Sequence, residues 1–493
     1  MESLGDTLWD VVIYGTGLQQ SLLALSLSRS GKKILHLDPN DYYGGPDAAL
    51  SLQETEAWVE HISHPANPAT GVFRSSSITK PDGATGLSFP RAYSLALAPQ
   101  VIHARSTLLS QLVSSRAYRQ VEFLAVGSFF VFNPPSTPDE KPSLARIPST
   151  REDVFSEPTI SMKAKRGLIK FLKFVLDYEG ESQRDVWTPH ADGQLTDFLQ
   201  KQFNLDAQLQ AYVVALTLSL DGKISTKDGL AIIYRHLTSM GLFGPGFAAV
   251  YPKWGGLSEI AQVACRAGAV GGAVYMLGTS IQKLETRESE IELHLSSGDV
   301  VKTQLLVRND EITDDGSGVS RMVAVVRSTL KELFEPLVEG APLPAVAVVA
   351  FPRGLVGDDG TPTNPVYLFA HSSDTGECPV GQCVLYLTTL RTSDSKKFLN
   401  KALNCFLESI NEGQKPQSLY QLYYEQARGA VESRAEGLIH NLPDASLSLS
   451  FDDSTLEPMK AVWEKMLSDA PAEAEYMVFP DRDVGQDEEE LYD

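Results

Sequence analysis

The residues best placed for chemistry lie near the N-terminus, where two glycines and an acidic residue follow apolar runs. Gly15-Thr-Gly17 comes directly after one apolar run and opens a helical pattern, and Asp38 closes the next run. This spacing is typical of dinucleotide binding, in which the glycine turn receives a diphosphate at a helix N-terminus and the carboxylate hydrogen-bonds a ribose. The chemistry that it suggests is that of a flavin- or nicotinamide-dependent oxidoreductase.

Three departures argue against a bound cofactor. The third glycine of the pattern, which allows close packing of helix and strand, is replaced by Gln20, whose side chain must occupy that space. In flavin oxidases with a similar opening, an Arg near the cofactor phosphates precedes a Gly-Gly pair; here the uncharged Tyr42 stands there, before Gly44-Gly45. A late Gly-Asp or Gly-Glu segment of the kind that completes a flavin site is also missing. The sequence predicts a vestigial site and no cofactor.

Other catalytic and metal-binding patterns are not found in the sequence. No Ser-His-Asp motif is evident, and glycine-rich segments such as Gly241–Gly246 lack the Lys-Ser or Lys-Thr of a phosphate-binding loop. The four cysteines form no C-x-x-C pair and have no neighbouring histidine cluster. We expect reduced, structural cysteines, no catalytic residue and no metal site.

The vestigial motif needs a βαβ unit to position it. Asp10–Tyr14 and Lys32–Leu37 are predicted strands, with a helix over Leu18–Ser30 between them. Further helices are predicted at 162–178, 194–203, 205–220 and 225–240, and a hairpin at 291–307. Segments 63–88 and 133–141, rich in Pro, Ser, Thr and Gly, are predicted surface loops.

The predicted fold is α/β. A doubly wound, FAD/NAD(P)-binding-like (flavoenzyme-like) domain with mixed sheets is interrupted by an inserted all-helical domain. We assign residues 1–148 and 245–470 to the discontinuous first domain and 149–244 to the helical domain. Residues 471–493, which end in a strongly acidic run, are predicted to form a solvated tail.

Composition and charge restrict the partners and the location. The chain has 43% hydrophobic residues, but no apolar run is long enough to span a bilayer. The acidic N-terminus lacks the basic and apolar regions of a secretory signal, so we expect a cytoplasmic protein. A formal net charge of −21 disfavours nucleic acid and favours basic partners.

Several strings of residues together carry a family resemblance. They are Gly15-Thr-Gly17-Leu18, Gly31 to Asp38, Tyr42-Tyr43-Gly44-Gly45, and the block from Tyr251-Pro252 to Tyr275-Met276-Leu277. In combination they resemble the superfamily of Rab GDP-dissociation inhibitors and Rab escort proteins. The resemblance implies a flavoenzyme-like fold that has lost its cofactor and acts as a carrier, not an enzyme.

The resemblance also implies a GTPase-binding platform. Carried over by position, it falls on Tyr43, Arg91, Glu259, Arg266, Tyr275 and Met276. Glu and Arg suit charge-assisted hydrogen bonds, and Tyr and Met suit adaptable apolar contacts. Taken without the resemblance, Glu259 and Arg266 also suit the solvated face of an ordinary helix, and Tyr43 suits packing within a loop.

Departures from the inhibitors favour the escort branch. Val270-Gly271-Gly272-Ala273 lacks the aromatic residue that the inhibitors commonly carry before their Gly-Gly, and the segment from Tyr251 to Glu259 has one extra residue and contains Trp254. The implied partners are GDP-bound Rab GTPases, the Rab geranylgeranyltransferase heterodimer, the client's geranylgeranyl lipid and, transiently, a membrane. The alternatives are an inhibitor that recycles prenylated Rabs and, from another class, a flavin-dependent oxidoreductase.

The predicted helix 162–178 combines an apolar stripe with five basic residues. We expect the stripe to pack into the core and the basic side chains to face water. One alternative is a helix that lies on an anionic membrane surface. Another, implied by the resemblance, is docking of the prenyltransferase, for which Phe171 and Phe174 are the candidates. Of these two, Phe171 is predicted to be core and Phe174 to be the more exposed.

Overall fold

The computed structural model describes residues 4–479 except 65–70, 82–84, 136, 138, 149–150, 157–159, 311, 313–314, 337, 357–362, 412–414 and 469–473. Within these residues the helices are α1 (Leu18–Arg29), α2 (Leu52–Ser63), α3 (Thr107–Ser114), α4 (Arg151–Ser156), α5 (Met162–Leu176), α6 (Glu181–Trp187), α7 (Leu195–Phe203), α8 (Ala207–Leu216), α9 (Thr226–Ser239), α10 (Leu257–Val270), α11 (Ser395–Ser409) and α12 (Glu457–Met466). None of them is long and apolar enough to cross a membrane.

The strands are β1 (Leu8–Tyr14), β2 (Ile34–Leu37), β3 (Ala49–Leu50), β4 (Phe73–Thr79), β5 (Leu95–Ala96), β6 (Ile102–His103), β7 (Phe123–Asn133), β8 (Ser143–Arg146), β9 (Ala249–Pro252), β10 (Val274–Met276), β11 (Ile281–Thr286), β12 (Ile291–Leu295), β13 (Val300–Asn309), β14 (Gly318–Arg327), β15 (Val346–Phe351), β16 (Val366–His371), β17 (Cys383–Leu390), β18 (Gln417–Ala427), β19 (Arg434–Glu436) and β20 (Ile439–Leu442). They form an eight-stranded sheet, a ten-stranded sheet and the small pair β3–β5.

The first sheet carries the vestigial motif. Its order is β10-β2-β1-β13-β12-β11, with β20 beside β13 and β19 beside β20. Strands β10, β2, β1 and β13 run parallel, and α1 is the crossover between β1 and β2. Helix α1 also packs against α10 and α12, so residues 18–28 are all buried. A helix that is covered on all sides can carry apolar or small residues all round, and in α1 only Gln19, Gln20 and Arg29 depart from that composition.

The second sheet has the order β4-β18-β14-β17-β16-β15-β7-β9-β6, with β8 beside β7. Helix α11 covers one face, with Leu399 and Phe406 packed against β14 to β17. The helices between β8 and β9 supply much of the apolar core on the other face. The architecture is the predicted doubly wound α/β fold with mixed sheets, and the four helices predicted between 162 and 240 match α5, α7, α8 and α9 within four residues at every end.

One loop prediction is wrong. Within the predicted loop 63–88, residues 73–79 form β4, which pairs antiparallel with β18 at the edge of the second sheet. An edge strand needs no continuous apolar pattern, and every residue of β4 retains some exposure. Its Ser- and Thr-rich sequence therefore gives no strand signal.

The predicted start of the acidic tail is also wrong. Residues 474–479 are packed on the first domain: Met477 is fully buried, the Tyr476 ring lies 5.5 Å from that of Trp463, and the Arg29 guanidinium lies 5.1 Å from the centre of the Phe479 ring. These contacts place the segment in the core around α1 and α12. Residues 480–493, including the acidic run from Gly485, lie outside the described residues.

Met477→Ala tests this packing. Truncation of a fully buried methionine removes apolar contacts and leaves a cavity, so we expect a loss of about 2 to 5 kcal/mol in unfolding free energy. The measurement is urea unfolding followed by circular dichroism. The adjacent, half-exposed Val478 gives the matched control, because Val478→Ala should change stability by no more than about 0.5 kcal/mol. Equal effects of the two substitutions would contradict the packing of this segment.

Candidate functional site

The predicted ribose carboxylate is fully engaged inside the protein. One oxygen of Asp38 accepts hydrogen bonds from the backbone N–H of Thr16 at 2.7 Å and from its hydroxyl at 2.6 Å. The other oxygen accepts from the backbone and side-chain nitrogens of Asn40, at 2.8 and 2.9 Å. Burial raises the pKa of Asp38, and these hydrogen bonds oppose the rise. With four donors already in place, Asp38 fastens the glycine turn and has no accepting position left for a ribose.

Gln20 fills the space above the glycine turn, as the sequence predicts. Its side-chain oxygen lies 2.9 Å from where a Cβ on Gly17 would stand, and its amide nitrogen donates to Asn309 at the end of β13. The carboxamide therefore lies over the turn that approaches the diphosphate in dinucleotide-binding proteins. It also ties the start of α1 to the neighbouring strand.

A second carboxylate, which the sequence analysis missed, lies at the N-terminus of α1. An oxygen of the buried Asp47 accepts from the backbone N–H of Leu18 at 3.1 Å. Burial raises the pKa of Asp47 to about 6, while the bond to Leu18 and the charge of Arg321 oppose the rise. This is the position at which a helix N-terminus binds a phosphate. An acidic residue three positions into the loop after Tyr43-Gly44 is the signal that could have revealed it.

These residues border an open cleft of about 930 Å³. Its lining includes Gly15, Gln20, Asp38, Tyr42 and Asp444. The cleft does not fit a dinucleotide, because a carboxylate caps the helix N-terminus, a carboxamide covers the glycine turn and the ribose partner is saturated. Tyr42 stands in the cleft wall where flavin oxidases carry a cation.

Two of the predicted platform residues, Tyr43 and Tyr275, are brought together at β10. The rings of Tyr43 and Tyr275 meet edge to face, with centroids 6.4 Å apart. Tyr275 also lies 5.0 Å from the buried His36 ring, and its hydroxyl lies beside the Cys265 thiol of α10. Burial is the main cause that raises the pKa of Tyr275. Tyr275 therefore packs between His36 and Tyr43, and Tyr43 is the more accessible of the two tyrosines.

Met276 lies on the opposite face of β10 from Tyr275. Successive residues of a strand alternate between faces, and the two side chains join different apolar clusters. The backbone oxygen of Met276 accepts from the N–H of Asp38 at 3.0 Å. Since β10 is an edge strand, both side chains remain partly exposed at the same border of the sheet.

Helix α10 carries the charged pair of the predicted platform. Arg266 and Glu259, two turns apart, form an ion pair with 2.9 Å between a guanidinium nitrogen and a carboxylate oxygen. The Arg266 side chain is 57% exposed, whereas that of Glu259 is 16% exposed. Partial burial raises the pKa of Glu259, and Arg266 lowers it. The pair holds a guanidinium in a defined position with donors still directed to solvent.

Arg91 lies on a separate, exposed turn over Pro90–Ala92. The turn is joined to the start of α10 through Ser94, whose hydroxyl donates to the backbone oxygen of Trp254 at 3.0 Å. Trp254 is half-exposed and has a φ of 71°, in the left-handed region that is uncommon for a bulky residue. Trp254 is thus hydrogen-bonded to the segment that follows the Arg91 turn, and along the chain it lies shortly before α10.

The turn around Trp254 is hydrogen-bonded to a loop that contains a buried carboxylate, Glu377, which the sequence analysis also missed. Glu377 is fully buried and accepts from the hydroxyls of Tyr251 at 2.7 Å and Tyr386 at 2.9 Å, and it lies 2.7 Å from Nδ1 of His371. Its backbone oxygen accepts from the N–H of Ser94 at 3.1 Å. A single Glu between a Gly and a Cys offers no sequence signal for such a network.

The two candidate docking phenylalanines are core residues. Phe171 is fully buried, and Phe174, although the more exposed of the two as predicted, is only 7% exposed. Both pack against Phe203 with centroids 5.2 Å apart. The helical period turns both rings towards α7. A direct contact with the prenyltransferase would require this cluster to open, and the docking role of the two residues stays a prediction.

The basic residues of α5 face water with one exception. Lys163, Arg166, Lys170 and Lys173 are exposed, whereas Lys165 is buried and donates to the backbone oxygen of Phe155 at 2.7 Å. Met162 and Leu176, near the two ends of the same helix, are also exposed. This exposed side is the part of α5 that a partner could reach.

One group of possible metal ligands occurs among the described residues. Ligand atoms of Glu285, Glu292 and His294 lie within 4.8 Å of one another on the β11–β12 hairpin. Glu292 already pairs with Arg287 at 2.8 Å, and Glu285 pairs with Lys283 at 2.5 Å. These ion pairs account for the two carboxylates without a metal ion.

Comparison with known sequences identifies relatives along most of the chain. The chain is 29% identical over 389 residues to "Rab proteins geranylgeranyltransferase component A" of Saccharomyces cerevisiae, covering 77% of this chain and 61% of that protein. It is 24% identical to "Rab escort protein 1" of Arabidopsis thaliana, covering 93% and 92%. It is 25% identical to "Probable secretory pathway GDP dissociation inhibitor 1" of Schizosaccharomyces pombe, covering 78% and 81%. The chain thus spans about three fifths of the S. cerevisiae relative.

Solved structures share the fold. The Rab GDI of Plasmodium falciparum superposes with a TM-score of 0.67 at 19% identity, covering 93% of this chain and 98% of that chain. An oxidoreductase from Methanosarcina mazei superposes with a TM-score of 0.58 at 14% identity, covering 92% and 100%. At such identities the likeness concerns the fold alone, and it confirms the flavoenzyme-like architecture.

The comparison with family models covers the two sheets, the helical segment between them and both candidate sites. The model described as GDP dissociation inhibitor matches residues 5–466. That match spans the retired dinucleotide cleft and the surface formed by β10 and α10. The chain therefore belongs to the GDP dissociation inhibitor family.

Proposed function

We propose that this protein is a Rab escort protein. It binds GDP-bound Rab GTPases, presents their C-termini to the Rab geranylgeranyltransferase heterodimer and delivers the prenylated products to membranes from the cytoplasm. The observation that carries the proposal is the exposed guanidinium of Arg266, fixed by Glu259 beside the Tyr43–Tyr275 pair, in a chain whose own side chains occupy the phosphate-binding positions of the dinucleotide motif. The names of the relatives in S. cerevisiae and A. thaliana support it.

A non-catalytic role agrees with the chemistry of the cleft. Flavin and nicotinamide reactions need a cofactor held by its phosphates and ribose. Asp47 and Gln20 occupy the phosphate position here, and Asp38 is hydrogen-bonded within the protein. We infer that the protein acts as an accessory component, and that the purified chain lacks a flavin absorbance near about 450 nm.

The helical segment 149–244 is the proposed carrier of the geranylgeranyl chain. A small crevice of about 30 Å³ lies between these helices and β7, lined by Phe129, Leu172, Leu216, Leu237 and Met240 together with His236 and others. Ligand pockets usually measure about 300 to 1,000 Å³, so the helices must separate to admit a prenyl chain. Each CH₂ that enters contributes about 0.8 kcal/mol, which offsets the lost helix contacts.

The prenyltransferase contact is proposed for the exposed side of α5 in addition to the buried phenylalanines. That side combines the apolar Met162 and Leu176 with Arg166, Lys170 and Lys173. Such a surface suits an acidic protein partner with apolar recesses. The same side would also suit transient contact with anionic lipids.

A Rab GDP-dissociation inhibitor is the second candidate. The similarity to the S. pombe inhibitor favours it, and both functions would use the same GTPase platform. The two candidates differ in what happens to an unprenylated client. An escort protein makes prenylation possible, whereas an inhibitor extracts clients that already carry the lipid.

Reconstituted prenylation separates the two. The reaction contains a GDP-bound Rab, the transferase heterodimer and labelled geranylgeranyl diphosphate, with and without this protein. We expect lipid transfer to depend strongly on the added chain. No stimulation, together with extraction of prenylated Rab from liposomes, would assign the protein to the inhibitors; neither activity would contradict both candidates.

Arg266→Ala tests the platform. Loss of a guanidinium that pairs with the GTPase should weaken binding of GDP-bound Rab at least about tenfold, as measured by isothermal titration calorimetry. Arg287→Ala is the matched control, because Arg287 is similarly exposed, at 51%, and pairs with Glu292 on the distant hairpin. If both variants bind like the wild type while folding normally, Arg266 belongs to the solvated helix face alone.

Asp47→Asn tests the buried carboxylate at the α1 N-terminus. The folded-state pKa of about 6 lies above the ordinary value of 3.8, so ionised Asp47 costs stability that grows as pH rises from about 4 to about 6. The amide keeps an acceptor for Leu18 without the charge. We expect the variant to be more stable than the wild type at pH 7, by on the order of 1 to 3 kcal/mol, and the difference to vanish below about pH 4.

Urea unfolding at a series of pH values measures this difference. Asp41→Asn, an exposed carboxyl of the same loop, is the control and should follow the wild type throughout. A variant that is less stable than the wild type at neutral pH would show that the carboxylate charge stabilises α1, against the expectation.

A further inference from the structure

Trp254 is an exposed aromatic side chain on a strained and firmly held turn. It is 51% exposed, and Trp9, Trp58 and Trp463 are buried. Its φ of 71° lies in the left-handed region, where a bulky residue is held at a cost of about 1 to 3 kcal/mol. A chain that needed only a tight turn here would be more stable with glycine.

The neighbouring residues fix both the backbone and the ring. The N–H of Trp254 donates to the backbone oxygen of Thr375 at 2.9 Å, and its carbonyl accepts from Ser94 at 3.0 Å. The indole lies directly over Gly376, where a Cβ would stand 2.3 Å from the ring. The Lys253 ammonium lies 5.2 Å from the ring centre. The indole is therefore held in place before any partner arrives.

The position of the ring links two parts of the proposed platform. Trp254 is separated by Gly255 and Gly256 from α10, which carries Glu259 and Arg266. Through Ser94 it is joined to the turn that carries Arg91. The Lys253 ammonium beside the ring, together with Arg91 on the joined turn and Arg266 on the following helix, suits a partner with an apolar recess and an acidic border.

We infer that Trp254 is a specificity-determining contact that inserts into the GDP-bound GTPase when it binds this surface. The inference rests on the proposed function and adds a residue to its platform. Preorganised, half-exposed tryptophans dominate the energetics of many interfaces, because they bury a large area without loss of side-chain freedom. This role would account for the strained backbone at Trp254 and for the glycine, Gly376, that faces its indole ring.

The test measures binding of an unprenylated, GDP-bound Rab to the full chain by titration calorimetry. Trp254→Gly suits the left-handed backbone and removes only the indole; we expect binding to weaken about thirtyfold while the thermal midpoint changes little. Trp254→Phe should recover most of the affinity. Phe243→Ala, which removes a comparable aromatic at 57% exposure from the helical segment, is the matched control and should bind like the wild type.

Tryptophan fluorescence gives a second readout that does not depend on affinity. Saturation with a Rab client that lacks tryptophan should shift the wild-type emission to shorter wavelength, and the shift should be absent in Trp254→Phe. Normal affinity of Trp254→Gly, or a shift that persists in Trp254→Phe, would overturn the inference and leave the proposed function standing. A wild-type chain that does not bind the client would overturn both.

Discussion

The hydrogen bonding of one buried carboxylate organises the surface on which the proposed function depends. Glu377 lies between β16 and β17 and is satisfied by Tyr251, Tyr386 and His371. An unpaired carboxylate in this position would be very costly, so all three partners must keep their places. The same loop holds Ser94 and Trp254 through backbone atoms. The need to satisfy one charge inside the second sheet thereby fixes the turn that leads into α10.

The vestigial cofactor cleft is governed by the same requirement that buried polar groups be hydrogen-bonded, but there protein groups take the place of a ligand. In a dinucleotide-binding enzyme the glycine turn, the helix N-terminus and the ribose carboxylate satisfy their hydrogen bonds with the ligand. Here Asp38 is satisfied by Thr16 and Asn40, and the N-terminus of α1 by Asp47. The site has become a structural joint that holds β1, β2 and the Tyr43 loop together without a ligand. Tyr43 can consequently be presented at a fixed distance from Tyr275 and α10.

The sequence was sufficient to predict those features of the structure that depend on neighbouring residues in the chain. The βαβ opening, the four long helices and the obstruction by Gln20 all follow from periodicity or from the size of one side chain. It was insufficient where the partner comes from a distant part of the chain. Asp47, Glu377 and the packing of Met477 depend on such contacts, and β4 depends on its place at the edge of a sheet. Phe171 and Phe174 show a third limit: helical spacing correctly predicts that their stripe packs into the core, whereas their docking role is implied by the resemblance alone.

Strand β9 connects the helices proposed to bind the lipid with α10, which carries part of the proposed GTPase platform. It follows the helical segment directly and leads into α10. It pairs with β6 and β7, and its Tyr251 is anchored by Glu377, so it cannot shift without breaking a buried network. The preceding segment 241–246 has three glycines with positive φ and can change conformation at little cost. We therefore expect separation of the helices around a lipid to be absorbed before β9. Under the proposed function, such an arrangement would let the protein accept a prenyl chain without releasing the GTPase that carries it.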